Sequence, residues 1–506
     1  MDSFDLLIIG GGINGTGIAR DAVGRGLKVT LVEQADLGSA TSSSSTKLIH
    51  GGLRYLEHFE FRLVRESLQE RERLLTIAPH LVRPMEFVLP HVEGLRPRWQ
   101  IRIGLFFYDH MGARRRLPGS RGVRLAGTGY GERLRKQITH GFVYSDCAVD
   151  DSRLVVLNAI DAANRGASIH TRTRFLSAER VDGCWRASCR DGTTGEHFNL
   201  NARAIVNAAG PWVDKVLRCL PGTHNEAQIR LVKGSHIVVP KIYDGEHAFL
   251  LQNPDGRVVF TIPYETGFTL IGTTDVPCVS EPGDADISAE EVDYLCATVN
   301  GYFRRTLTPR DVSWSYTGIR PLVDDETVEV SKVTRDYRLE LSAERPVLLS
   351  VFGGKLTTYR RLAEAALEKL QPCIGGARHS WTERAPLPGG DLPRGDFAAF
   401  FAEVKQRWRF LPEPLALRLT RAYGTRIEKV LGAAKGLRDL GEEFGAGLTA
   451  AEVQYLMEYE WASSAEDILW RRSKVGLHMS TDERMRVEQY LDAGAKARRS
   501  TTVVGN

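Results

Sequence analysis

Asp5-Leu6-Leu7-Ile8-Ile9-Gly10-Gly11-Gly12-Ile13-Asn14-Gly15 is an apolar run that breaks into glycines. Residues 4–10 read as a short buried strand, 13–25 as a helix and 27–33 as a second strand, the spacing of a βαβ unit. Gly10 permits the tight turn, Gly12 lets backbone approach a pyrophosphate, and Gly15 lets the helix pack on the strand. Phosphate oxygens can meet the unpaired N–H groups of such a helix start. Glu33 ends the second strand, where a carboxylate accepts hydrogen bonds from an adenosine ribose. Strand, helix, strand and acid together predict a dinucleotide site.

Working outward, residues 38–53 form a Ser-, Thr- and Gly-rich loop that reads as ligand-facing. The chain returns late to two more strand-to-glycine turns, at 204–210 and 347–358. Nicotinamide dehydrogenases usually continue instead as an alternating α/β half. Contacts distributed so widely suit a larger, permanently held cofactor and favour FAD over NAD.

The rest of the chain divides by pattern. Helices are predicted at 60–76, 151–165, 288–304 and 355–370, a strand at 84–91, and strands around Asp-Gly turns at 166–206. Strong alternation over 230–275 predicts an antiparallel sheet in a second domain. Residues 94–140 mix arginine, aromatics and glycine and yield no element. Pro386, Pro388, Gly389, Gly390 and Pro393 make a linker, after which the pattern is mostly helical. The expected organisation is a discontinuous FAD-binding domain within 1–385 (about 1–75, 145–225 and 345–385), an interleaved substrate domain (about 76–144 and 226–344) and a helical domain at 390–506.

Bulk properties narrow the function. With 506 residues the chain exceeds one ordinary core. A net charge of +4 gives no case for wholesale nucleic-acid binding. Seven scattered cysteines without a CxxC pair fit a reducing compartment, and no HExxH or paired-carboxylate pattern calls for a metal or a hydrolase. Signal-peptide features are absent, and no stretch of 18 apolar residues occurs, so any membrane contact is expected to be peripheral.

A flavin would supply the electron sink, leaving the protein to bind, orient and set charge. Arg54 and Tyr55, Arg320, Arg335 and Lys355 sit in glycine-rich or strand-end contexts. If they converge they suit a phosphate monoester, because guanidinium forks match its oxygens. For any one of these arginines taken alone a solvated surface charge is the better reading, and spacing cannot show that they converge. His236 can accept a hydroxyl proton near neutral pH, or serve as an ordinary partly buried histidine.

Taken together the motifs carry a resemblance. They are the first glycine loop, Ser45–Glu57, Asn207–Trp212, Lys233–His236, Ile271–Asp275, Gly318–Leu322 and Val351–Tyr359. Through essentially the whole chain the sequence resembles the FAD-dependent (aerobic, respiratory) glycerol-3-phosphate dehydrogenases of bacteria. The His50–Glu57 and Gly353–Tyr359 segments are the specific ones; the first loop is shared by many flavoproteins. The resemblance implies a Rossmann-like α/β FAD domain of the glutathione-reductase/amino-acid-oxidase type, an antiparallel-sheet substrate domain and a helical C-terminal domain. It implies oxidation of sn-glycerol 3-phosphate to glycerone phosphate, with electrons passed to a membrane quinone by a homodimer on the cytoplasmic face of the inner membrane. Arg54, Tyr55, His236, Arg320, Arg335 and Lys355 match substrate-site positions, with His236 and Arg320 managing the hydroxyl proton. FAD contacts match Gly10, Gly12, Ile13, Asn14, Gly15, Glu33, Thr41, Ser42, Ser45, Thr46, Lys47, Ala209, Gly210, Gly354, Leu356, Thr357 and Thr358. A glycerol-3-phosphate oxidase, or an amine-oxidising flavoenzyme using O₂, would share the nucleotide loop.

A quinone partner demands access to lipid. Residues 96–124 interleave eight arginines with Trp99, Ile101, Ile103, Leu105, Phe106, Phe107 and Tyr108. This is the expected contact with an anionic membrane surface. No nucleic-acid reader motif accompanies it.

Overall fold

The computed structural model describes residues 3–112, 116–221, 229–323, 336–375 and 379–503, with the backbone alone at 58 and 495–503. The opening segment forms strand β1 (Ser3–Ile9), helix α1 (Ile13–Gly24) and strand β2 (Val29–Val32). β1 lies at the centre of a sheet whose main path runs Arg338–Leu341, Val347–Phe352, His197–Asn207, β1, β2, Ser168–His170. All neighbours on that path are parallel except the edge strand Arg338–Leu341. A hairpin, Thr173–Val181 and Cys184–Asp191, adds to His197–Asn207. The strand Arg338–Leu341, expected with the second domain, pairs instead with Val347–Phe352 in this sheet. Leu339 and Leu341 on that strand pack against the same core as Leu6, Ile8, Val206 and Leu349.

Parallel pairing explains why three distant glycine turns meet. β1, His197–Asn207 and Val347–Phe352 are adjacent and run the same way. Their carboxyl ends therefore place Gly10, Ala208–Gly210 and Gly353–Gly354 along one edge. That edge of a parallel sheet is where α/β folds bind ligands. α1 packs its buried face between helices Asp151–Asn164 and Tyr359–Ile374. Arg20, fully buried on α1, is held by Asp161 at 2.6 Å.

The second sheet has ten strands, with the path Val276–Pro277, Ile229–Pro240, Phe268–Gly272, Val258–Tyr264, Ala248–Gln252, Arg83–Pro90, His140–Ala148, Leu48–Ile49. Trp314–Val323 pairs with Ile229–Pro240 along ten residues, from Ile229 opposite Val323 to Val238 opposite Trp314. Alternation over 230–275 thus becomes an antiparallel sheet, one face of which looks onto the glycine edge.

Residues 94–140 contain an element that the sequence reading left out: a helix, Arg98–His110. Ile101, Leu105 and Tyr108 form its buried stripe, while Trp99, Ile103, Phe106 and Phe107 form a second apolar stripe facing outward. Beyond the linker, helices from Phe397–Arg407 to Thr481–Val503 surround a core of their own that includes Phe444, Val453, Leu456 and Ile468. A small hairpin, Glu443–Gly445 with Leu448–Thr449, interrupts them. Among the described residues no helix is long and apolar enough to cross a membrane.

Candidate active site

A cavity of about 930 Å³ runs along the glycine edge and under the second sheet. At one end stands Glu33, whose carboxylate accepts the backbone N–H of Gly11 at 2.6 Å and of Ala35 at 2.8 Å. Burial lifts its carboxyl above the usual range, against the pull of those two N–H groups. Arg172, Arg174 and Arg190 line the same end.

The start of α1 comes next. Gly10 turns the chain with φ +114°, a conformation that side chains rarely allow. Gly12 caps α1 without any side-chain hydrogen bond, and no acidic residue occupies the first turn. Apart from the Ile13 N–H, which Ser42 accepts, the partial positive charge of the helix start is left for a ligand. Gly15 is needed for contact alone: a Cβ there would lie 1.9 Å from the Gly10 carbonyl oxygen.

The Ser-Thr loop forms the opposite wall. Ser42 Oγ accepts the Ile13 N–H at 3.0 Å, Thr41 donates to the Ile319 carbonyl at 2.6 Å, and Ser45 donates to Asp151 at 2.7 Å. Asn14, also on the wall, donates to the Gly353 carbonyl at 3.1 Å, while its Oδ1 is buried without a hydrogen-bond partner among the described residues. Ala209, Gly210, Gly354, Leu356 and Thr357 complete the lining. Three residues expected at the cofactor are not on the cavity wall: Gly15, Lys47 and Thr358. Lys47 is buried, with its ammonium 2.9 Å from Asp151 and 2.8 Å from the Ser43 carbonyl, so it braces the loop from behind. Thr358 is buried one residue beyond Thr357, and its hydroxyl has no hydrogen-bond partner among the described residues.

Under the second sheet the candidate substrate residues gather. Arg54, Tyr55, His236, Arg320 and Lys355 all line the cavity. Lys355 Nζ sits 3.7 Å from the centre of the Tyr55 ring. Arg320 donates to Thr273 Oγ1 at 2.9 Å and pairs with Asp275, whose other oxygen is 4.0 Å from Arg54. Arg335 lies outside the described residues.

His236 is on the strand Ile229–Pro240, opposite Gly272 and Tyr316. Any Cβ at Gly272 would come 2.0 Å from the imidazole, so glycine makes its seat. The ring stacks on Tyr316 at 4.9 Å; Nε2 meets Thr46 Oγ1 at 3.0 Å, and Nδ1 is buried without a hydrogen-bond partner among the described residues. Burial, then the charges of Arg320 and Lys47, hold its pKa well below the ordinary imidazole value. The ring is therefore neutral at pH 7 and able to take a proton.

Sequence reasoning missed Thr273 and Asp275, although they lie in the quoted Ile271–Asp275 stretch. It also missed Arg172, Arg174 and Arg190. These stand at strand ends with no local motif, and only the strand pairing brings them to the cavity.

A glycine edge, an uncapped helix start and an orphaned Asn14 oxygen fit a dinucleotide with its pyrophosphate, and the site next to it is cationic. That combination defines a flavin-dependent oxidoreductase of the FAD-binding α/β class. Accordingly, the family model for FAD dependent oxidoreductases matches residues 5–360, and that for the C-terminal domain of alpha-glycerophosphate oxidase matches 380–496. The chain is 54% identical over 492 residues to a glycerol-3-phosphate dehydrogenase of Pseudomonas aeruginosa, covering 97% of this chain and 95% of that one. It is 48% identical over 495 residues to a D-erythritol 1-phosphate dehydrogenase of Brucella abortus, covering 97% and 98%. A crystal structure of the glycerol-3-phosphate dehydrogenase from Bacillus halodurans, complexed with FAD, superposes with TM-score 0.76 at 27% identity, covering 97% of this chain and 94% of that one. The chain belongs to the FAD-dependent glycerol-3-phosphate dehydrogenase family.

Proposed function

We propose that the enzyme oxidises sn-glycerol 3-phosphate at C2 to glycerone phosphate and delivers the electrons to a membrane quinone. The observation that carries this reading is the convergence of Arg54, Tyr55, His236, Arg320 and Lys355 on one cavity wall beside the glycine edge. Three of these side chains are basic, a donor set that suits a phosphate dianion and has no use for an amine substrate.

When bound, FAD supplies the hydride acceptor. Arg54 and Lys355 hold the phosphate, with Arg335 assigned to the same anchor. Gripping the phosphate away from the reacting carbon fixes the carbinol in place and spends remote binding energy on orientation. His236 takes the C2 hydroxyl proton, since its ring is neutral and Thr46 fixes its tilt. Arg320, held by Thr273 and Asp275, steadies the negative charge that grows on that oxygen.

D-erythritol 1-phosphate offers the same phosphate on a longer polyol. Steady-state turnover with sn-glycerol 3-phosphate, D-erythritol 1-phosphate and glycerol tests the assignment. The expected order places glycerol 3-phosphate first and glycerol at least ~100-fold lower in kcat/KM, as loss of charge-assisted bonds requires. Equal turnover of glycerol would remove the phosphate anchor.

Membrane contact is assigned to the helix Arg98–His110. Trp99 is 67% exposed and Phe106 52%, and Arg98 and Arg102 flank them. Arg114 and Arg115 of the same basic stretch lie outside the described residues. Aromatics of this stripe would enter the interface while arginines meet anionic headgroups, giving a peripheral attachment at the cytoplasmic face. Tyr108, on the opposite stripe, accepts the Gly51 N–H at 2.8 Å and donates to Asp146 at 2.6 Å, which ties the helix to the turn carrying Arg54. The assembly implied by the sequence resemblance is a homodimer, which light scattering in detergent checks.

A further inference from the structure

The helical C-terminal domain has no residue on the cavity wall. It nevertheless reaches the wall at the Glu33 end through an ionic contact that the oxidation itself does not need. Asp36, three residues beyond Glu33, is buried and accepts a bidentate pair of bonds from Arg472, both 2.7 Å, and one from Arg471, also 2.7 Å. Arg472 is fully buried and donates to the Glu460 carbonyl at 2.7 Å as well. Arg172, which does line the cavity, donates to Asp467 at 2.6 Å. Its backbone N–H binds the Ala35 carbonyl at 2.8 Å, and the next N–H, of Thr173, binds the Glu33 carbonyl at 2.7 Å. The segments 33–36 and 172–173 are thus one wall, and both are fastened to Asp467–Arg472.

Two further observations bear on this wall. Arg172 lines the cavity, and its Nη1 is buried with no hydrogen-bond partner among the described residues, so the residue keeps one donor unused. Asp467 stays ionised: burial opposes this, but the Ser463 N–H and then Arg172, Arg471 and Arg472 outweigh it and hold the carboxyl at about 2.

We propose that Asp467, Arg471 and Arg472 are positioning residues for FAD. They act through Asp36 and Arg172 to lock the adenosine end of the cofactor site, so that the C-terminal domain governs how long FAD stays bound. Without the Asp467 charge, Arg172 loses its fixed position, and without the arginines the 33–36 turn loses its only ionic tether among the described residues. A guanidinium already fastened to Asp467 gives up little freedom when the ligand arrives.

The test uses full-length holoenzyme. FAD release after dilution is followed by the fluorescence of the freed flavin, alongside the thermal unfolding midpoint of each variant. Asp467→Asn and Arg471→Met should release FAD at least tenfold faster than the parent, and Asp467→Glu should restore retention. Val487→Ala, a cavity in the helical core away from this contact, separates positioning from general weakening. It should lower the unfolding midpoint and leave the release rate near the parent's. Release rates unchanged in Asp467→Asn and Arg471→Met would overturn the proposal. So would a Val487→Ala variant that sheds FAD as quickly as they do.

Discussion

Asp275 stands 4.0 Å from Arg54 and at the same time pairs with Arg320, so one carboxylate spaces two guanidinium groups that lie far apart in the chain. It thins the positive charge of a site that would otherwise repel itself, and it fixes both forks. Asp275→Asn should lower kcat/KM for glycerol 3-phosphate about 10–100-fold, the scale of charge-assisted bonds. Steady-state kinetics check this; full activity in the variant would show that the arginines are held without it.

His236 is read as the proton acceptor. His236→Gln should reduce kcat about 10²–10⁴-fold while bound flavin remains, because the glycine edge is untouched. The pH profile offers a second check. Since burial and neighbouring cations depress the imidazole, the basic form survives below pH 6.5. The acid limb of kcat/KM should therefore fall at a pH lower than that of a free histidine. A limb centred near 6.5 would point to another group.

Gly15 is tested sterically. The added methyl of Gly15→Ala must displace α1 from β1, since it would sit 1.9 Å from the Gly10 carbonyl oxygen. A cost of roughly 1–3 kcal/mol is expected for such overpacking, with loss of bound flavin in the purified protein. A yellow protein of parental stability would contradict the helix placement.

Stability should also decline in acid through His80. Its ring is wholly buried, and burial, then Arg153, pulls its pKa down to about 3. The unfolded imidazole takes up a proton near pH 6.5 while the folded one does not. Stability is therefore lost as pH falls from about 6.5 towards 3, at roughly 1.4 kcal/mol per unit from this group. Denaturant unfolding at pH 7, 6 and 5 should show a shallower decline in His80→Leu than in the parent. Identical slopes would mean that His80 is protonated in the fold.

The outward stripe of Arg98–His110 predicts a loss confined to the membrane. Ile103→Glu with Phe107→Glu should weaken sedimentation with anionic vesicles by about 1–3 kcal/mol per residue, with turnover of a soluble electron acceptor unchanged. Undiminished sedimentation would place the attachment elsewhere.

Much of this was written locally in the chain. β1, α1 and β2 follow from one glycine loop, and the later strands at 204–210 and 347–354 announced themselves by ending in glycine. The helix Arg98–His110 did not. Its apolar residues fall on two stripes, one inward and one outward, so the period of a one-faced helix is blurred. The same limit applies at the site. His236 and Arg320 sit in short distinctive stretches, whereas the partnership of Arg172 with Asp467 spans 295 residues and leaves no local trace. Lys47 shows the converse. Its stretch is distinctive, yet its ammonium turns back to Asp151, a direction that no spacing reveals.

The central claim is that this cationic wall presents a phosphorylated carbinol to FAD, and anaerobic titration of the holoenzyme tests it most directly. One equivalent of sn-glycerol 3-phosphate should bleach the visible flavin absorption, glycerol and sarcosine should leave it intact, and Arg320→Ala should bleach far more slowly. A flavin that stays oxidised with glycerol 3-phosphate, or that bleaches as readily with sarcosine, would contradict the account.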